Sequence, residues 1–407
     1  TMVISANITE EQNVASVAIK QAVRGGRQKL IVIDHREVEL TRYANIWLRP
    51  RPGTEVALLG GLIRVILDEG LEDSEFVSSQ TDGYEALVAG MAQYKLDWVE
   101  KTTGVSVDLI KEAARLFASQ HPGAILYALD DLPAHSGVSA VRALANLVLL
   151  TGNLGRPSTG LFPLRSGTNE QGAWDVGCVP NLLPGYVPVN DTDARVRIEK
   201  SWSTQLPTGP GKGFDALLES ARHGDITAMQ VVGDSRALGE MALKALSNLQ
   251  FLVVQESFLS PLARLATVVL PTAVFSEKEG SFTNLERRVQ LLRKGMEPKG
   301  EAMPDWWVFV DLARRMGGQG FHYGHPSEIL DELAGLVPAY GGISYSRLED
   351  SGIQWPCTDR ADHGTRDLYS EGFKEGLAHF LPLGEPPAPK LTTRGFPLMF
   401  TPGRVLV

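Results

Sequence analysis

Apolar positions along this chain fall into two kinds of run, and the two kinds alternate. MVI at the start, KLIVID (29–34) and AILYAL (124–129) are short unbroken apolar stretches, the pattern of strands buried on both faces of a parallel sheet. Between them, a segment beginning at Thr54 (TEVALLGGLIRVILDEG), VSVDLIKEAARLFASQ (105–120) and VRALANLVLLTG (141–152) place apolar residues at helical spacing. ANITEEQN reads as a polar loop in which Asn7 and Thr9 cap a helix running through Gln21. A short helix after Asp34, a strand near 45–48 and a Pro/Gly turn at 50–53 complete the first unit. This alternation predicts a doubly wound parallel α/β domain over 1–166.

Residues 153–212, rich in Pro and Gly, break the pattern and read as a long irregular stretch. Loops of that length inside a folded protein commonly carry function. Alternation resumes with FDALLESARHGD (helix), AMQVVG (strand), ALGEMALKALSNLQ (helix), FLVVQES and ATVVLPT (strands). This predicts a second doubly wound domain over 167–275 with 304–325, the latter carrying the helix DWWVFVDLARRMG (305–317). Residues 276–303 with 326–385 read as a smaller mixed α+β portion. Residues 386–407 end on the strand-like PLMFTPGRVLV. Both chain ends look cut from something longer.

Composition narrows the function classes. A chain of 407 residues exceeds one typical core, so about two to four domains are expected. A net charge of −9 argues against a general nucleic-acid binder. No apolar run approaches the ~20 residues a membrane helix needs, so no direct membrane insertion is expected. The only two cysteines, Cys178 and Cys357, lie far apart, which excludes a disulfide framework, a Cys-rich zinc site and a four-thiolate cluster built from this chain alone. They read as thiols in a reducing cytoplasm.

In open α/β sheets ligands sit beyond the carboxyl ends of the strands. There the sequence places Asp34, His35 and Arg36, then Gly53 and Thr54 before a helix, then Asp234, Ser235 and Arg236, then Glu256 and Ser257, then Thr272. Helix-start amides suit a pyrophosphate, and a carboxylate such as Asp305 or Glu256 suits the N1–H and amino group of guanine. Repetition at every strand end favours a nucleotide, although each residue alone reads as a cap or turn. No Walker A, G-x-G-x-x-G or G-x-S-x-G motif follows a strand. His322 and His325 form an H-x-x-H pair without nearby ligands, so no metal site is assigned, and His135 stands alone. In the central loop, Asn153, Asn169 and Gln171 offer amide donors and acceptors.

The order ANITEEQN, VIDHREVELTRYANIWLRPRPGTEVALLGGL, LLTGNLGRP, NEQGAWDVGCVPNLLPGY, VVLPTAVFSEKEGSFTNLERRVQ, MPDWW and IQWPC resembles the molybdopterin oxidoreductases over the whole chain, with formate dehydrogenase catalytic subunits the nearest branch. The resemblance implies a bis(molybdopterin guanine dinucleotide) cofactor carrying Mo or W, to whose pterin ring edges the amides of Asn153, Asn169 and Gln171 are suited, and it makes residues 386–407 the start of a truncated C-terminal cap domain. By motif position, Gly233, Asp234, Gln255, Glu256, Thr272 and Asp305 correspond to one guanine-dinucleotide site, and Asn7, Asp34, Arg36, Gly53 and Thr54 to the other. Arg165 stands where these dehydrogenases carry an arginine beside the metal, and would orient formate through its cationic fork. A 4Fe-4S cluster and the metal's protein ligand are expected upstream of residue 1, in the same chain or a separate subunit, with electron-transfer subunits as further partners.

Two stretches depart from the family. Arg165-Ser166-Gly167-Thr168-Asn169 stands in place of R-G-Q-N-N, and Ala128 to Pro133 reads ALDDLP in place of a glycine loop. Acidic residues there would repel a pyrophosphate. The two altered loops favour a second reading, a molybdenum-free scaffold resembling the large iron–sulfur subunit of NADH-quinone oxidoreductases; the retained NLERR, QGAWDVG and IQWPC stretches favour the first, a formate dehydrogenase, which is the reading adopted.

Overall fold

The structure, a computed structural model, describes residues 1–128, 137–233, 235–373 and 376–384, with Gly395 and Leu398. The acidic loop read at 129–133, His135, Asp234 and nearly all of 386–407, including the strand-like C-terminus, lie outside the described residues. The chain divides into two compact units, residues 1–166 with 367–407 and residues 167–366.

The first unit is built on a five-stranded parallel sheet of β1 (Met2–Ile4), β2 (Ile31–Ile33), β3 (Ile46–Leu48), β4 (Ala124–Ala128) and β5 (Gly160–Leu164), in the order β3-β2-β1-β4-β5. Val3 pairs with Val32 on one side and Leu126 on the other. Central position explains the unbroken apolar runs: Met2, Val3, Ile4, Ile31, Val32 and Ile33 are all buried. The helices include α1 (Asn13–Arg24), α2 (Glu55–Glu69), α3 (Val107–Ser119) and α4 (Gly137–Leu150). Gly60 of α2 is required by packing, because a Cβ there would lie 2.1 Å from the Tyr94 ring. The chain returns to this unit after 366, where Ala378–His379 pairs in parallel with Thr81–Asp82 and the Asn146 amide clasps both backbone groups of Leu381.

The second unit carries α5 (Glu170–Asp175), α6 (Phe214–His223) and a three-stranded parallel sheet of β6 (Ala228–Val232), β7 (Phe251–Glu256) and β8 (Val268–Pro271), ordered β8-β7-β6. A separate antiparallel sheet of β9 (Gly280–Thr283), β10 (Arg288–Leu292) and β11 (Ile353–Gln354) has its own core around Val289, Leu330, Tyr340 and Ile353. Helix α7 (Asp305–Arg315) lies between β10 and β11 in the sequence.

Two local expectations are corrected. The stretch 153–212 is not irregular throughout. It supplies β5 and an 11-residue helix, Thr192–Trp202, whose N-cap Asp191 accepts from Ala194 N. Strand β5 hides because it is an edge strand, where Pro163 can lack an N–H and Phe162 can be 43% exposed. The helix expected through Gln21 is broken at Gln12 into Ile8–Glu11 and α1, which runs on to Arg24. Asn7 makes no side-chain cap bond, and Thr9 lies inside the first turn with its buried hydroxyl unpartnered.

Candidate functional site

Parallel strands end at one edge of their sheet, so each unit gathers its strand-end residues there. In the first unit Asp34 follows β2 and is buried. Its Oδ1 accepts from Arg36 N at 2.7 Å, with the Arg36 Nε 3.8 Å away, while its carbonyl accepts from Trp47 Nε1 at 2.9 Å. Gly53 adopts φ +80 with open space where a Cβ would stand, and its N–H donates to Glu55 at 3.2 Å. A side chain is disfavoured at that backbone angle. Thr54 precedes α2, and its hydroxyl donates to the Arg51 carbonyl at 2.6 Å. Asn7 lies after β1. Arg165 follows β5 and is 9% exposed. Its carbonyl accepts from Gln12 Nε2 at 3.3 Å. Burial pushes the Tyr127 phenol up, and the charge of Arg165 pulls it partly back.

The second unit centres on Asp305, the first residue of α7. Its Oδ1 accepts from Gln255 Nε2 (2.9 Å) and Thr272 Oγ1 (2.7 Å), and Oδ2 is paired with Lys278. Burial works to raise the Asp305 carboxyl, but Lys278, Thr272 and Gln255 outweigh it and hold the group below the usual carboxylate range. Gln255 has no exposed surface, and its other end accepts from Gln230 at 3.0 Å, so it serves as a brace for Asp305. Glu256, at the end of β7, accepts from the N–H (3.0 Å) and hydroxyl (2.8 Å) of Ser235. Burial opposes its ionisation too, yet Ser260 and Ser235 bring its carboxyl below the ordinary value. Gly233 follows β6 at φ +112 with nothing within 4 Å of a Cβ position, which leaves the backbone open to close approach.

The Asn169 amide oxygen and the Gln171 amide nitrogen are engaged within the protein. Asn169 Oδ1 accepts from Thr283 N at 2.8 Å. Gln171 Nε2 donates to Asp175 Oδ1 (2.8 Å) and the Tyr186 hydroxyl (2.6 Å). The structure therefore joins Gln255, Thr272 and Asp305 in one network and sets Glu256 in a second with Ser235. Sequence reasoning missed Lys278 and Asp175. Lys278 carries no local signal beyond one charge in FSEKEGS; Asp175 stood inside the quoted NEQGAWDVG but was given no role. The H-x-x-H pair is not arranged as a ligand pair, since His325 is engaged with Ser327 and Glu279. Among the described residues no group of three or more His, Cys, Asp and Glu is placed to hold a metal ion. None of the helices among them is long and apolar enough to cross a membrane.

Each of the two α/β units gathers carboxylates, hydroxyls and an open glycine at its strand ends. Residues 1–315 match the family model for molybdopterin oxidoreductase. The chain belongs to the molybdopterin oxidoreductase family, and its cofactor class is therefore a molybdopterin with Mo or W. It is 36% identical over its whole length to the F420-dependent formate dehydrogenase subunit alpha of Methanocaldococcus jannaschii, and 36% identical over 92% of its length to formate dehydrogenase H of Escherichia coli. It spans 61% and 53% of the length of those two relatives. Acetylene hydratase from Pelobacter acetylenicus shares the fold, with a TM-score of 0.69 at 24% identity over 95% of this chain and 54% of that one.

Proposed function

We propose that this chain is the cofactor-gripping part of a formate dehydrogenase catalytic subunit that takes a bis(molybdopterin guanine dinucleotide), each unit offering a guanine-dinucleotide site at its own strand ends. The observation that carries the cofactor form is the network at Asp305. A partly exposed carboxylate held below its usual range is an acceptor: Gln255 and Thr272 fill Oδ1, Oδ2 keeps one acceptor site beside Lys278 for a donor of guanine, and Gly233 leaves room for a phosphate beside the backbone. Gly53, Thr54, Asp34, Arg36 and Asn7 form the corresponding strand-end set of the first unit. The donor set fits the group. The reading as a formate dehydrogenase is supported by the relatives named above.

The bound metallopterin supplies the acceptance of two electrons from formate, which leaves carbon dioxide and a proton. The residues of this chain bind and orient. Arg165 offers a planar cationic fork that matches a carboxylate through two parallel N–H donors, fixing formate in one plane. The burial of Arg165 strengthens that pairing by excluding water. An upstream iron–sulfur segment and electron-transfer subunits complete the path for electrons. Two unpaired thiols suit a cytoplasmic setting.

The test is formate-dependent dye reduction by the purified full-length protein, beside Arg165→Ala. Turnover that the substitution abolishes is expected. Metal-free protein with no turnover, assembled with quinone-reductase subunits, would replace this reading with the scaffold.

A further inference from the structure

Asp175 ends α5 and is 1% exposed, yet four donors converge on it. Gln171 Nε2 and the Tyr186 hydroxyl reach Oδ1, each at 2.8 Å. The Tyr340 hydroxyl (2.6 Å) and Trp355 Nε1 (2.7 Å) reach Oδ2. Burial and the neighbouring Asp175 charge push the Tyr340 phenol up, which keeps it a donor. A carboxylate has about four acceptor sites, so this one is filled.

The consequence falls on Gln171. Both hydrogens of its amide nitrogen are used inside the protein, on Asp175 and on Tyr186. The amide cannot turn over, because its oxygen would then face a carboxylate that has no proton to give. What it presents is Oε1, and no hydrogen bond to that oxygen is made among the described residues.

We propose that Asp175, helped by Tyr186, is a positioning residue that makes Gln171 an acceptor-only contact for the cofactor. The edge Gln171 takes therefore carries an N–H or amino donor, as the pyrimidine edge of a pterin does. An edge offering only lone pairs is rejected, since both it and Oε1 would go unsatisfied. This rests on the pterin reading given above and adds to it the polarity of one contact and the residue that sets it.

The experiment measures pterin retained per protein, as the fluorescent oxidised product, in the purified full-length wild type, Gln171→Leu, Asp175→Asn and the double variant. Asp175→Asn supplies a donor against which the Gln171 amide can reverse. Each single substitution is expected to lower retained pterin about tenfold, and the double to lose no more than Gln171→Leu alone, the non-additivity of a residue acting through another. A merely structural role for Asp175 gives losses that multiply. Multiplied losses, or wild-type retention in Asp175→Asn, overturn the proposal. Should Asp175→Asn fail to fold, the same cycle with Tyr186→Phe decides by the same criterion. Wild-type protein without pterin overturns both this inference and the reading beneath it, whereas wild type with pterin and multiplied losses overturns this inference alone.

Discussion

Thr272 and Asp305 stand 33 residues apart in sequence and are joined by a 2.7 Å hydrogen bond from hydroxyl to carboxylate. That bond ties the end of β8 to the start of α7 and aims one carboxylate oxygen. Lys278 and Gln255 complete the hold. Asp305→Asn keeps the shape and removes the charge. The substitution is expected to lower retained guanine-pterin at least tenfold and to cost about 1–3 kcal/mol of stability through unpaired neighbours. Pterin fluorescence and urea unfolding check the two parts.

Acid stability follows from the same group. Because its carboxyl lies below the usual range in the folded protein, the unfolded chain binds a proton first as pH falls. The stabilisation is fully present above the ordinary carboxyl value, near 4, and is lost as pH drops through the depressed one. Glu256 contributes with the same sign. Unfolding midpoints measured from pH 7 downward are expected to fall more steeply in wild type than in Asp305→Asn.

Gly60→Ala is expected to destabilise the first unit by about 1–3 kcal/mol, because the new methyl group overlaps the Tyr94 ring. Thermal unfolding reads the loss, and Tyr94→Leu in the same chain is expected to recover part of it.

Arg165→Lys retains the charge and loses the fork. For the full-length enzyme the expected outcome is a formate KM raised tenfold or more, with retained pterin unchanged. A KM equal to wild type would remove Arg165 from substrate contact.

Much of the fold could be read from hydrophobic runs. The central strand IVI is buried on both faces, and FLVVQE is buried from Leu252 on except for a half-exposed Val253, so their apolar runs mark them. GLFPL escaped because an edge strand tolerates both a proline and an exposed phenylalanine. The strand-end rule located Asp34, Thr272 and Glu256, since topology fixes that edge without knowledge of contacts. What the rule does not carry is which atoms meet. Lys278 reaches Asp305 from a loop, and Trp355 reaches Asp175 across 180 residues of sequence. Such pairings depend on tertiary packing, and no local spacing encodes them.

The central claim proposed is a metallopterin bearing two guanine nucleotides, with one guanine-dinucleotide site in each unit. Metal content and acid-released guanine nucleotide, measured together on the full-length protein, test it most directly. The account predicts Mo or W with about two guanine nucleotides per metal atom. Metal accompanied by one guanine nucleotide or none would contradict it.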